Sequence, residues 1–437
     1  MKTTVVKFGG TSLATAEQIR KAAAIIRSDP ARRFVVASAP GKRSSDDTKV
    51  TDLLYRCYEA ASAGDDFSPV LGQIRARFAQ IIEALGVEFD LEKELSIIRS
   101  HLENDPQRDY MASRGEYLNS RILAKFLDYQ FLDAAAMICF HPNGRFDAAR
   151  TDALLRDGLS NVENAVIPGF YGASDDGRIH TFSRGGSDVT GSLVACAADA
   201  QLYENWTDVS GMLFTDPRIV DEPEPIGFIS YRELRELSYM GASVLHEDAV
   251  FPVRKAGIPI NIRNTNRPED AGTMIVPEAP KSAQQHLITG IAGRKGFTSV
   301  LVEKSMMNNE VGFGAKILEI FAANGAPFEH CPTGIDTISV VVSTAQFREK
   351  RELILQQIRN ELQPEYICVE PGLAMIAVVG HGLVYAKGSA ARVFGTLAKA
   401  GVNIRMIDQG SSEMNIIIGV EEDDYETAIR ALYQEFH

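Results

Sequence analysis

The sequence lacks a hydrophobic run long enough to cross a membrane, since no stretch approaches the ~20 apolar residues that a transmembrane helix needs. Its first residues, Met1 to Lys7, lack the apolar segment of a secretory signal peptide. Cysteine is scarce, and the 5 cysteines are scattered, which excludes a disulfide framework and gives no Cys-based zinc pattern. These absences predict a protein of the reducing cytoplasm that has no membrane partner.

Basic residues are also in deficit, because 45 Lys and Arg face 58 Asp and Glu and leave a net charge of −13. This balance argues against a general nucleic-acid binder. Hydrophobic residues make up 45% and charged residues 24%, which are ordinary globular values. At roughly 150 residues per domain, the 437 residues predict about three structural units.

Short apolar strands alternate with amphipathic helices in the first part of the chain. This pattern predicts an α/β fold, with a mostly parallel sheet covered by helices on both faces. A strand over residues 4–8 leads through a glycine turn into a helix over about 16–27. Helical patterns follow between 49 and 128, and further helices are predicted at 188–199, 232–239 and 243–256. The other strands are predicted at 34–39, 136–139, 164–168, 178–182, 202–207 and 258–262.

Residues 277–285, with two prolines and several small polar residues, resemble a linker. Beyond it a strand at 298–302, a helix at 310–323, strands at 327–331 and 337–343, a helix at 346–362 and a strand at 365–369 predict a ferredoxin-like βαββαβ unit at about 298–369. A second such unit, over 370–437 and beginning with a strand at 374–379, is one strand short. The apolar segment 287–292 supplies that strand if the first unit is inserted in the second, which then comprises 286–297 and 370–437.

The first glycine turn reads Lys7-Phe8-Gly9-Gly10-Thr11-Ser12. Small residues let backbone N–H groups approach a ligand, a helix N-terminus favours an anion, and a lysine supplies a point charge for phosphate. A tight turn with a solvated lysine is the alternative. Neither a Walker A loop nor a dinucleotide-binding fingerprint is present.

A second glycine turn, Phe182 to Asp188, again joins a predicted strand to a helix. Arg184 offers a planar fork that suits a carboxylate, whereas Ser187 or Asp188 has the alternative role of capping the helix. Two such turns in one sheet predict a cleft for two anionic groups, as phosphoryl transfer to a carboxylate requires.

Motifs along the whole chain resemble the aspartate kinase (aspartokinase) family, of the monofunctional kind with paired C-terminal ACT domains. They are K-F-G-G-T-S at Lys7, V-V-A-S-A at Val35, S-R-G-E at Ser113, F-S-R-G-G-S-D at Phe182, W-T-D-V-S-G at Trp206, F-T-D-P-R at Phe214, G-A-S-V-L-H at Gly241, I-N-I-R-N-T at Ile260, and Q-G-S-S-E at Gln409.

The resemblance implies an amino-acid-kinase catalytic domain over 1–280 and a regulatory region over 286–437. It implies the reaction of ATP with L-aspartate to give 4-phospho-L-aspartate, with Mg²⁺, at the start of lysine, threonine and methionine biosynthesis. No general base is needed, because a β-carboxyl group with an ordinary pKa of about 3.9 is ionised at neutral pH.

The family's site residues transfer to matching positions here. Lys7 is expected to stabilise the transferring phosphoryl group, Asp188 to orient Lys7, and Arg184 to grip a substrate carboxylate. The expected aspartate site comprises Ser38, Thr51, Glu116, Arg184 and Ser187. The expected nucleotide site comprises Lys7, Gly9 and Gly10, which donate backbone N–H groups to phosphate, with Thr207, Asp208, Asp216 and Arg218. No protein metal ligand is expected.

Three of these positions have plainer alternatives. Glu116, expected to meet the substrate ammonium group, also completes a capping box with Ser113. Asp216 and Arg218 flank a proline and read equally as a turn.

Two positions depart from the family pattern. Ser243 stands where better-known members carry a lysine, and Leu213 stands where a tyrosine is expected beside the nucleotide. Lys255 or Arg263 is the candidate replacement for the lysine. His246 is read as a partly buried helix residue without a catalytic role.

ACT pairs in such enzymes bind amino-acid effectors at subunit interfaces, so the resemblance implies a homodimer or a dimer of dimers. Lysine is the expected inhibitor, because Glu329 or Asp336 has the charge to pair with its cationic end. Glu329 reads alternatively as a solvated strand residue, and a threonine-sensitive or insensitive enzyme is the alternative regulation. The candidate effector pocket comprises Met306, Gly312, Phe313, Ala315, Phe328, Glu329 and Asp336.

Two alternative functions stand beside this one. Another phosphotransferase of the same fold, such as a glutamate or carbamate kinase, is disfavoured by the S-R-G-E segment and the ACT pair. A catalytically inactive amino-acid sensor is disfavoured by the presence of Lys7, Arg184 and Asp188. A fused homoserine dehydrogenase is excluded by the chain length and the missing dinucleotide fingerprint.

Overall fold

A computed structural model describes residues 2–183, 185–242, 245, 247–280 and 286–437. The chain divides into two compact units. The first comprises residues 1–212, 225–231 and 244–279, and the second comprises 213–224, 232–243 and 280–437. Among the described residues, no helix is both long enough and apolar enough to cross a membrane.

Strands and helices alternate through the first 279 residues, as the hydrophobic pattern predicts. The strands are β1 (Thr4–Phe8), β2 (Arg32–Ala37), β3 (Gln130–Phe131), β4 (Cys139–Phe140), β5 (Ala165–Pro168), β6 (Tyr171–Ser174), β7 (Ile179–Thr181), β8 (Leu202–Thr207), β9 (Phe228–Ser230), β10 (Ile260–Asn264) and β11 (Thr273–Val276). The helices are α1 (Ala16–Arg27), α2 (Val50–Ala63), α3 (Ser68–Leu85), α4 (Leu91–Asn104), α5 (Arg108–Leu127), α6 (Ala148–Ser160), α7 (Gly186–Ala197), α8 (Tyr231–Tyr239) and α9 (Glu247–Ala256).

The main sheet has the strand order β3-β5-β2-β1-β8-β10-β11-β9 over the described residues. Its pairs are parallel except for β10 with β11, so the expected mostly parallel α/β sheet is confirmed. A smaller sheet has the order β4-β6-β7. Because β1, β2, β5, β8 and β10 are mutually parallel, their carboxyl ends meet at one edge of the main sheet.

Side-chain alternation along β1 decides which residues serve the core and which serve a site. Val6 and Phe8 belong to the large apolar core that also contains residues of α1 to α5. Lys7 lies between them and therefore points to the opposite face, where α7 packs against β1. A charged residue thus interrupts a strand that is buried along its whole length.

One predicted strand is wrong. Residues 136–139 were expected to form a strand, but Ala134–Ala136 form a short 3₁₀ helix and the strand begins only at Cys139. Asp133 caps this turn, because its carboxylate accepts a hydrogen bond of 3.0 Å from the Ala135 backbone N–H. Such a local cap stabilises a helical turn over a strand.

The second unit contains the remaining elements. Its strands are β12 (Gly290–Glu303), β13 (Phe328–His330), β14 (Thr337–Ser343), β15 (Tyr366–Val379), β16 (Ile404–Asp408) and β17 (Asn415–Glu421). Its helices are α10 (Phe313–Ala323), α11 (Thr344–Phe347), α12 (Arg351–Leu362), α13 (Ser389–Lys399) and α14 (Tyr425–Phe436). The single helix predicted over 346–362 is divided into α11 and α12, and Phe347 at the break is buried in the local core.

These strands form one antiparallel sheet in the order β13-β14-β12-β15-β17-β16 over the described residues. The strands predicted separately at 287–292 and 298–302 are both parts of β12, and those predicted at 365–369 and 374–379 are parts of β15. The pairing of β12 with β15 shifts register between Arg294 and Phe297. Gly296 adopts φ 95°, a conformation that favours glycine and lets the strand bend there.

Two separate cores lie on either side of this bend. One combines Ile288 and Ile291 with buried residues between Ala374 and Phe436, and the other draws its residues from between Val300 and Leu362. The insertion of one ACT unit in the other, with the bounds given above, stays a prediction.

The division into compact units does not follow a single boundary at the linker. Residues 213–224 and 232–243 cluster with residues 280–437 although they precede the linker. The physical reason is visible at Phe214, which is 6% exposed and belongs to the core formed by residues 374–436. The Phe214 carbonyl also accepts a hydrogen bond of 2.7 Å from the Ile291 N–H.

Candidate active site

The carboxyl edge of the main sheet gathers residues from distant parts of the sequence. In the strand register, Phe8 pairs with Ala37 on one side and with Trp206 on the other. The Ser38 N–H donates to the Phe8 carbonyl at 3.2 Å, and the Gly169 N–H donates to the Ala37 carbonyl at 3.0 Å. The segments that follow β1, β2, β5 and β8 therefore lie side by side, where open α/β sheets bind ligands.

Lys7 and Asp188 form the centre of this edge. Lys7 is 7% exposed, and its Nζ lies 2.6 Å from Asp188 Oδ1. Asn205, the register partner of Lys7 on β8, accepts from Lys7 Nζ at 3.4 Å and donates from Nδ2 to Asp188 Oδ1 at 2.8 Å. The lysine ammonium group is thus fixed by two partners in a water-poor setting, where its charge acts strongly.

The N-terminus of α7 approaches β5 closely, which brings Asp188 to Lys7. A Cβ added to Gly169 would lie 2.6 Å from Ser187 Oγ, and one added to Gly186 would lie 2.5 Å from Phe170 Cδ2. The N-cap residue of α7 is Gly185, which makes no side-chain capping bond. The alternative that Ser187 or Asp188 is the N-cap is therefore wrong. Arg184, expected to grip a carboxylate, lies outside the described residues.

The first glycine turn packs against the loop after β2. The Gly41 N–H donates to the Gly10 carbonyl at 2.8 Å, and a Cβ on Gly10 would lie 3.0 Å from the Ala39 carbonyl oxygen. One expectation needs correction here. The Gly9 N–H donates to the Trp206 carbonyl at 2.9 Å, because sheet pairing continues one residue beyond β1. In this structure the Gly9 amide is therefore engaged and does not face a phosphate.

Glu116 reaches the same edge from the middle of α5. Because α5 begins at Arg108, Ser113 and Glu116 lie inside the helix, and the capping-box alternative is wrong. The Glu116 carboxyl group accepts a hydrogen bond from the Ala39 backbone, yet its Oε2 is buried and finds no partner in the described part of the chain. Burial raises the pKa of Glu116 to about 8.

Two more residues of the expected aspartate site, Ser38 and Thr51, are connected to loop 38–41. Ser38 is half-buried at the end of β2, and its carbonyl accepts a hydrogen bond of 2.7 Å from Asn119 Nδ2. Thr51 is half-buried in the first turn of α2, whose Val50 N–H donates to the Pro40 carbonyl at 3.3 Å. Loop 38–41 thereby connects the glycine turn, α2 and α5.

The expected nucleotide residues fall in two places. Thr207 and Asp208 follow β8 at the sheet edge, where Thr207 Oγ1 donates to Asp208 Oδ1 at 3.2 Å. Asp216 and Arg218 belong to the second compact unit and pair with each other, with Arg218 Nη2 2.6 Å from Asp216 Oδ2. Arg218 lowers the pKa of Asp216 through this hydrogen bond. Leu213 belongs to the same unit and is half-buried.

The candidate replacements for the missing lysine are Arg263 and Lys255. Among the described contacts, neither side chain touches Lys7. Arg263 stacks over the Trp206 ring at 4.7 Å and donates to the carbonyls of Pro268 and Asp270 at 2.6 and 3.2 Å. Lys255 is exposed near the end of α9. Ser243 and His246 lie outside the described residues.

Most of the candidate effector residues surround the turn before α10 and the strand β13. Met306 adopts φ 62°, and its N–H donates to Asp336 Oδ1 at 2.8 Å. Gly312 is the N-cap of α10, and Ala315 is exposed on that helix. Phe313 is 2% exposed and belongs to the core, so its ring packs internally and offers no open surface to a ligand.

Phe328 and Glu329 lie together on β13 but have different surroundings. Phe328 is 47% exposed. The Glu329 side chain is only 16% exposed, accepts a hydrogen bond from Tyr239 Oη, and lies 3.5 Å from Arg294 Nη2. The alternative that Glu329 is a solvated strand residue is therefore wrong.

Comparison with known proteins identifies the family to which this chain belongs. The profile of the amino acid kinase family matches residues 2–264, and an ACT domain profile matches residues 376–436. The chain is 38% identical to aspartokinase 3 of Bacillus subtilis over 99% of this chain and 98% of that protein. The chain belongs to the aspartokinase family.

Solved aspartokinase structures share the whole fold. The crystal structure of Clostridium acetobutylicum aspartate kinase superposes with a TM-score of 0.92 at 47% identity and covers 100% of both chains. Aspartokinase III of E. coli in complex with aspartate and ADP matches with a TM-score of 0.74 at 27% identity, over 99% of both chains. Its complex with lysine and aspartate matches with 0.75 at 27% identity, over 100% of both chains. Members of the aspartokinase family are kinases, and this chain is an enzyme of that class.

Sequence reasoning missed two buried polar residues that the structure places at this sheet edge. Asn205 is a buried amide within the strand β8, and Asn119 is a fully buried amide on α5. Both carry a signal that was available, since buried amides need hydrogen-bonding partners and are uncommon on a core-facing surface.

Proposed function

We propose that this enzyme transfers the γ-phosphoryl group of ATP to the β-carboxylate of L-aspartate and forms 4-phospho-L-aspartate. The observation that carries the proposal is the placement of the buried Lys7–Asp188 pair at the same sheet edge as Ser38 and Glu116. This edge combines a fixed cation for a transferring phosphoryl group with a buried carboxyl group that can receive a substrate ammonium group. The E. coli relative crystallised with aspartate and ADP supports the same substrates.

In this reaction the protein aligns ATP with aspartate and neutralises the charge on the transferring phosphoryl group. The attacking carboxylate of aspartate is ionised at neutral pH, so no side chain has to remove a proton. Lys7 faces the negative charge that spreads over the transferring phosphoryl oxygens, and Asp188 and Asn205 keep its ammonium group in place. The γ-phosphorus–oxygen bond to ADP breaks as the bond to the β-carboxylate oxygen forms.

Mg²⁺ is the metal that such a transfer requires, and it neutralises charge on the phosphate oxygens when bound. No protein ligand was expected from the sequence, but the exposed carboxylate of Asp208, directly after β8, offers the oxygen donors that this cation prefers. Phosphate oxygens and water would supply the remaining ligands.

The remaining site residues take the following proposed roles. Ser38 and Thr51 line the aspartate site, and Glu116 receives the substrate ammonium group. Gly10 presents its backbone to phosphate. Arg184 and Ser187 take a substrate carboxylate, and Thr207, Asp208, Asp216 and Arg218 serve the nucleotide.

Lysine is the proposed inhibitor. The E. coli enzyme crystallised with lysine and aspartate supports this choice. In this chain Glu329 supplies a carboxylate beside Phe328 on β13, and Asp336, which follows β13, accepts a hydrogen bond from the Met306 N–H. We further propose a homodimer or dimer of dimers, acting at the first step of lysine, threonine and methionine biosynthesis.

A hydroxylamine-trapping assay tests the proposed function. Enzyme, ATP and Mg²⁺ are combined with L-aspartate, L-glutamate or carbamate, and the acyl phosphate is captured as a hydroxamate. We expect product with aspartate and at most traces with the other two acceptors. Preference for glutamate or carbamate would identify another phosphotransferase of this fold. Lysine binding without turnover on any acceptor would identify a sensor.

A further inference from the structure

The helix α5 carries buried polar atoms that lack hydrogen-bond partners. Within the described part of the chain, Glu116 Oε2, Asn119 Oδ1 and Ser120 Oγ find none. Their residues are 6%, 0% and 0% exposed. Positions i, i+3 and i+4 share one face of a helix, so the atoms project from the same side of α5. Leaving such a buried group unpaired costs roughly 1–3 kcal/mol, which makes three neighbouring cases an expensive arrangement without a ligand.

Two of the three side chains, those of Asn119 and Glu116, are anchored on loop 38–41. Asn119 Nδ2 donates to the Ser38 carbonyl at 2.7 Å, and Glu116 accepts from the Ala39 backbone. Gly115 permits this approach, because a Cβ there would lie 2.7 Å from Ala39 Cβ. The anchors hold Asn119 and Glu116 in fixed orientations, and each keeps one oxygen for another partner. Fixed acceptors of this kind bind a ligand without an ordering cost.

All three atoms are able to accept a hydrogen bond, and one belongs to a carboxyl group. The matching ligand group is a cation with several N–H donors and no acceptor, which describes a primary ammonium group with its three N–H bonds. A carboxylate or phosphate group, which offers only acceptors, would find no donor at Asn119 Oδ1 and would pair only with the Ser120 hydroxyl, and it would oppose Glu116 once that group is ionised. The chemistry of this helix face therefore selects the amino end of an amino acid.

We propose that Asn119 Oδ1 and Ser120 Oγ complete, with Glu116, a three-acceptor subsite for the α-ammonium group of the substrate, and that Asn119 thereby sets selectivity for an amino acid over its deaminated analogue. This proposal rests on the proposed function, since it concerns the same substrate. It adds two binding residues and a specificity rule. A site built to pair N–H groups rejects an analogue that lacks them, because its buried acceptors then stay unpaired.

The charge of the site agrees with this assignment. Burial raises the pKa of Glu116, and the charge of Arg114 lowers it only in part. The Arg114 guanidinium lies 4.4 and 4.3 Å from the ring centroids of Tyr110 and Tyr117 and donates to Ser113 Oγ. A substrate ammonium group would supply the missing positive charge.

The test compares L-aspartate with succinate, which has both carboxylates but no ammonium group. The KM and kcat for aspartate, and the Ki of succinate as a competitor, are measured for the wild type, Asn119→Ala and Ser120→Ala. Asn104→Ala and Ser96→Ala, on α4, are the matched controls, because these residues are exposed and only bond within their own helix. Calorimetric titration with aspartate reports binding independently of turnover.

We expect Asn119→Ala and Ser120→Ala each to raise the KM for aspartate about 10-fold, which corresponds to about 1.4 kcal/mol. The Ki of succinate should change less than about twofold, since succinate makes no contact with these acceptors. Ser120→Ala preserves the helix and the volume, so it decides the matter if Asn119→Ala folds poorly. The controls should match the wild type.

Equal losses for aspartate and succinate would overturn the proposal, because they would assign Asn119 a purely structural role through Ser38. Unchanged aspartate binding in both variants would overturn it as well. A wild type that binds aspartate without phosphorylating it would refute the proposed function and leave the subsite supported by the calorimetry. The two failures are therefore distinguishable.

Discussion

Lys7 Nζ and Asp188 Oδ1 lie 2.6 Å apart, although one residue belongs to the first strand and the other to the first turn of α7. Their side chains are 9% and 17% exposed, so the pair is largely shielded from water and salt. Asn205 bridges the two residues from β8. The arrangement presents a fixed cation at the sheet edge where the substrates are proposed to meet.

Replacing Lys7 tests the catalytic role of this cation. We expect Lys7→Met to lower kcat at least about 100-fold, or about 2.7 kcal/mol in the barrier, because a preorganised charge at the transferring group is lost. Lys21→Met is the matched control, since the Lys21 side chain is 41% exposed on α1. Steady-state kinetics measures the effect, and thermal unfolding verifies that Lys7→Met folds. A folded variant with near-normal turnover would falsify the role assigned to Lys7.

Glu116 predicts a dependence of stability on pH. Its pKa rises from 4.5 to about 8 in the folded protein, so the folded state holds this proton more tightly than the unfolded state. The associated stability is present below the unfolded pKa and is lost as the pH rises towards about 8. Glu116→Gln removes this loss, so its Tm should exceed that of the wild type increasingly from pH 5 to pH 9. A constant Tm difference over this range would contradict the prediction.

The same carboxyl group predicts proton release when aspartate binds. An ammonium group beside Glu116 favours the ionised form and lowers the pKa, so the proton held in the free enzyme near pH 7 leaves on binding. Calorimetric titration in buffers with different ionisation enthalpies directly measures the number of protons released per aspartate bound. We expect up to about one proton per site for the wild type and fewer for Glu116→Gln. Identical binding enthalpies in all buffers would show that Glu116 does not titrate with binding.

The close packing of α5 against loop 38–41 predicts the effect of adding one methyl group at Gly115. A Cβ at Gly115 would lie 2.7 Å from Ala39 Cβ and 3.3 Å from Leu54 Cδ1. Gly115→Ala should therefore cost about 1–3 kcal/mol of stability through overpacking, and it should raise the KM for aspartate by displacing Glu116. Gly72→Ala, in α3, is the control, since its added Cβ meets nothing within 4 Å. Equal free energies of unfolding in urea for the wild type, Gly115→Ala and Gly72→Ala would refute this packing argument.

Glu329 predicts opposite effects of two substitutions on lysine inhibition. Tyr239 donates a hydrogen bond to the Glu329 carboxylate. Burial, and to a lesser extent this hydrogen bond, raises the pKa of Tyr239 to about 12. If lysine pairs with Glu329, it competes with Tyr239. Tyr239→Phe should then lower the inhibitory lysine concentration about fivefold, and Glu329→Gln should raise it by a similar factor.

Inhibition curves at fixed aspartate and ATP concentrations measure both shifts. Tyr385→Phe is the control, because Tyr385 is 88% exposed. Shifts in the same direction for both variants would indicate that Glu329 supports the pocket without binding lysine. Indifference of the wild type to lysine would end the proposed regulation itself.

Strands with clear flanks could be predicted to the residue from hydrophobic patterning. Both Leu202–Thr207 and Thr337–Ser343 have the bounds that the sequence indicates. The long strand β12 could not be predicted as one element, because Gly296 and the register shift beside it look like a break in the sequence. Only pairing with β15 shows that the strand continues through the bend.

Parts of the candidate site were equally beyond sequence reasoning. The contact of Lys7 with Asp188 follows from parallel pairing and close packing of α7, which no local pattern reveals. The engaged amide of Gly9 depends on its pairing with Trp206, a partner far along the chain. Phe214 belongs to the core formed by residues 374–436, although it precedes the linker by more than 60 residues and no local pattern indicates that contact.

The most direct test of the central claim is phosphorus NMR of a reaction containing enzyme, ATP, Mg²⁺ and L-aspartate. Transfer to the β-carboxylate, aided by Lys7, predicts an acyl-phosphate resonance that grows with ADP, requires aspartate and is nearly absent with Lys7→Met. Formation of ADP and inorganic phosphate alone, with no acyl phosphate even at early times, would contradict the claim. An acyl-phosphate signal of equal size from Lys7→Met would contradict it as well.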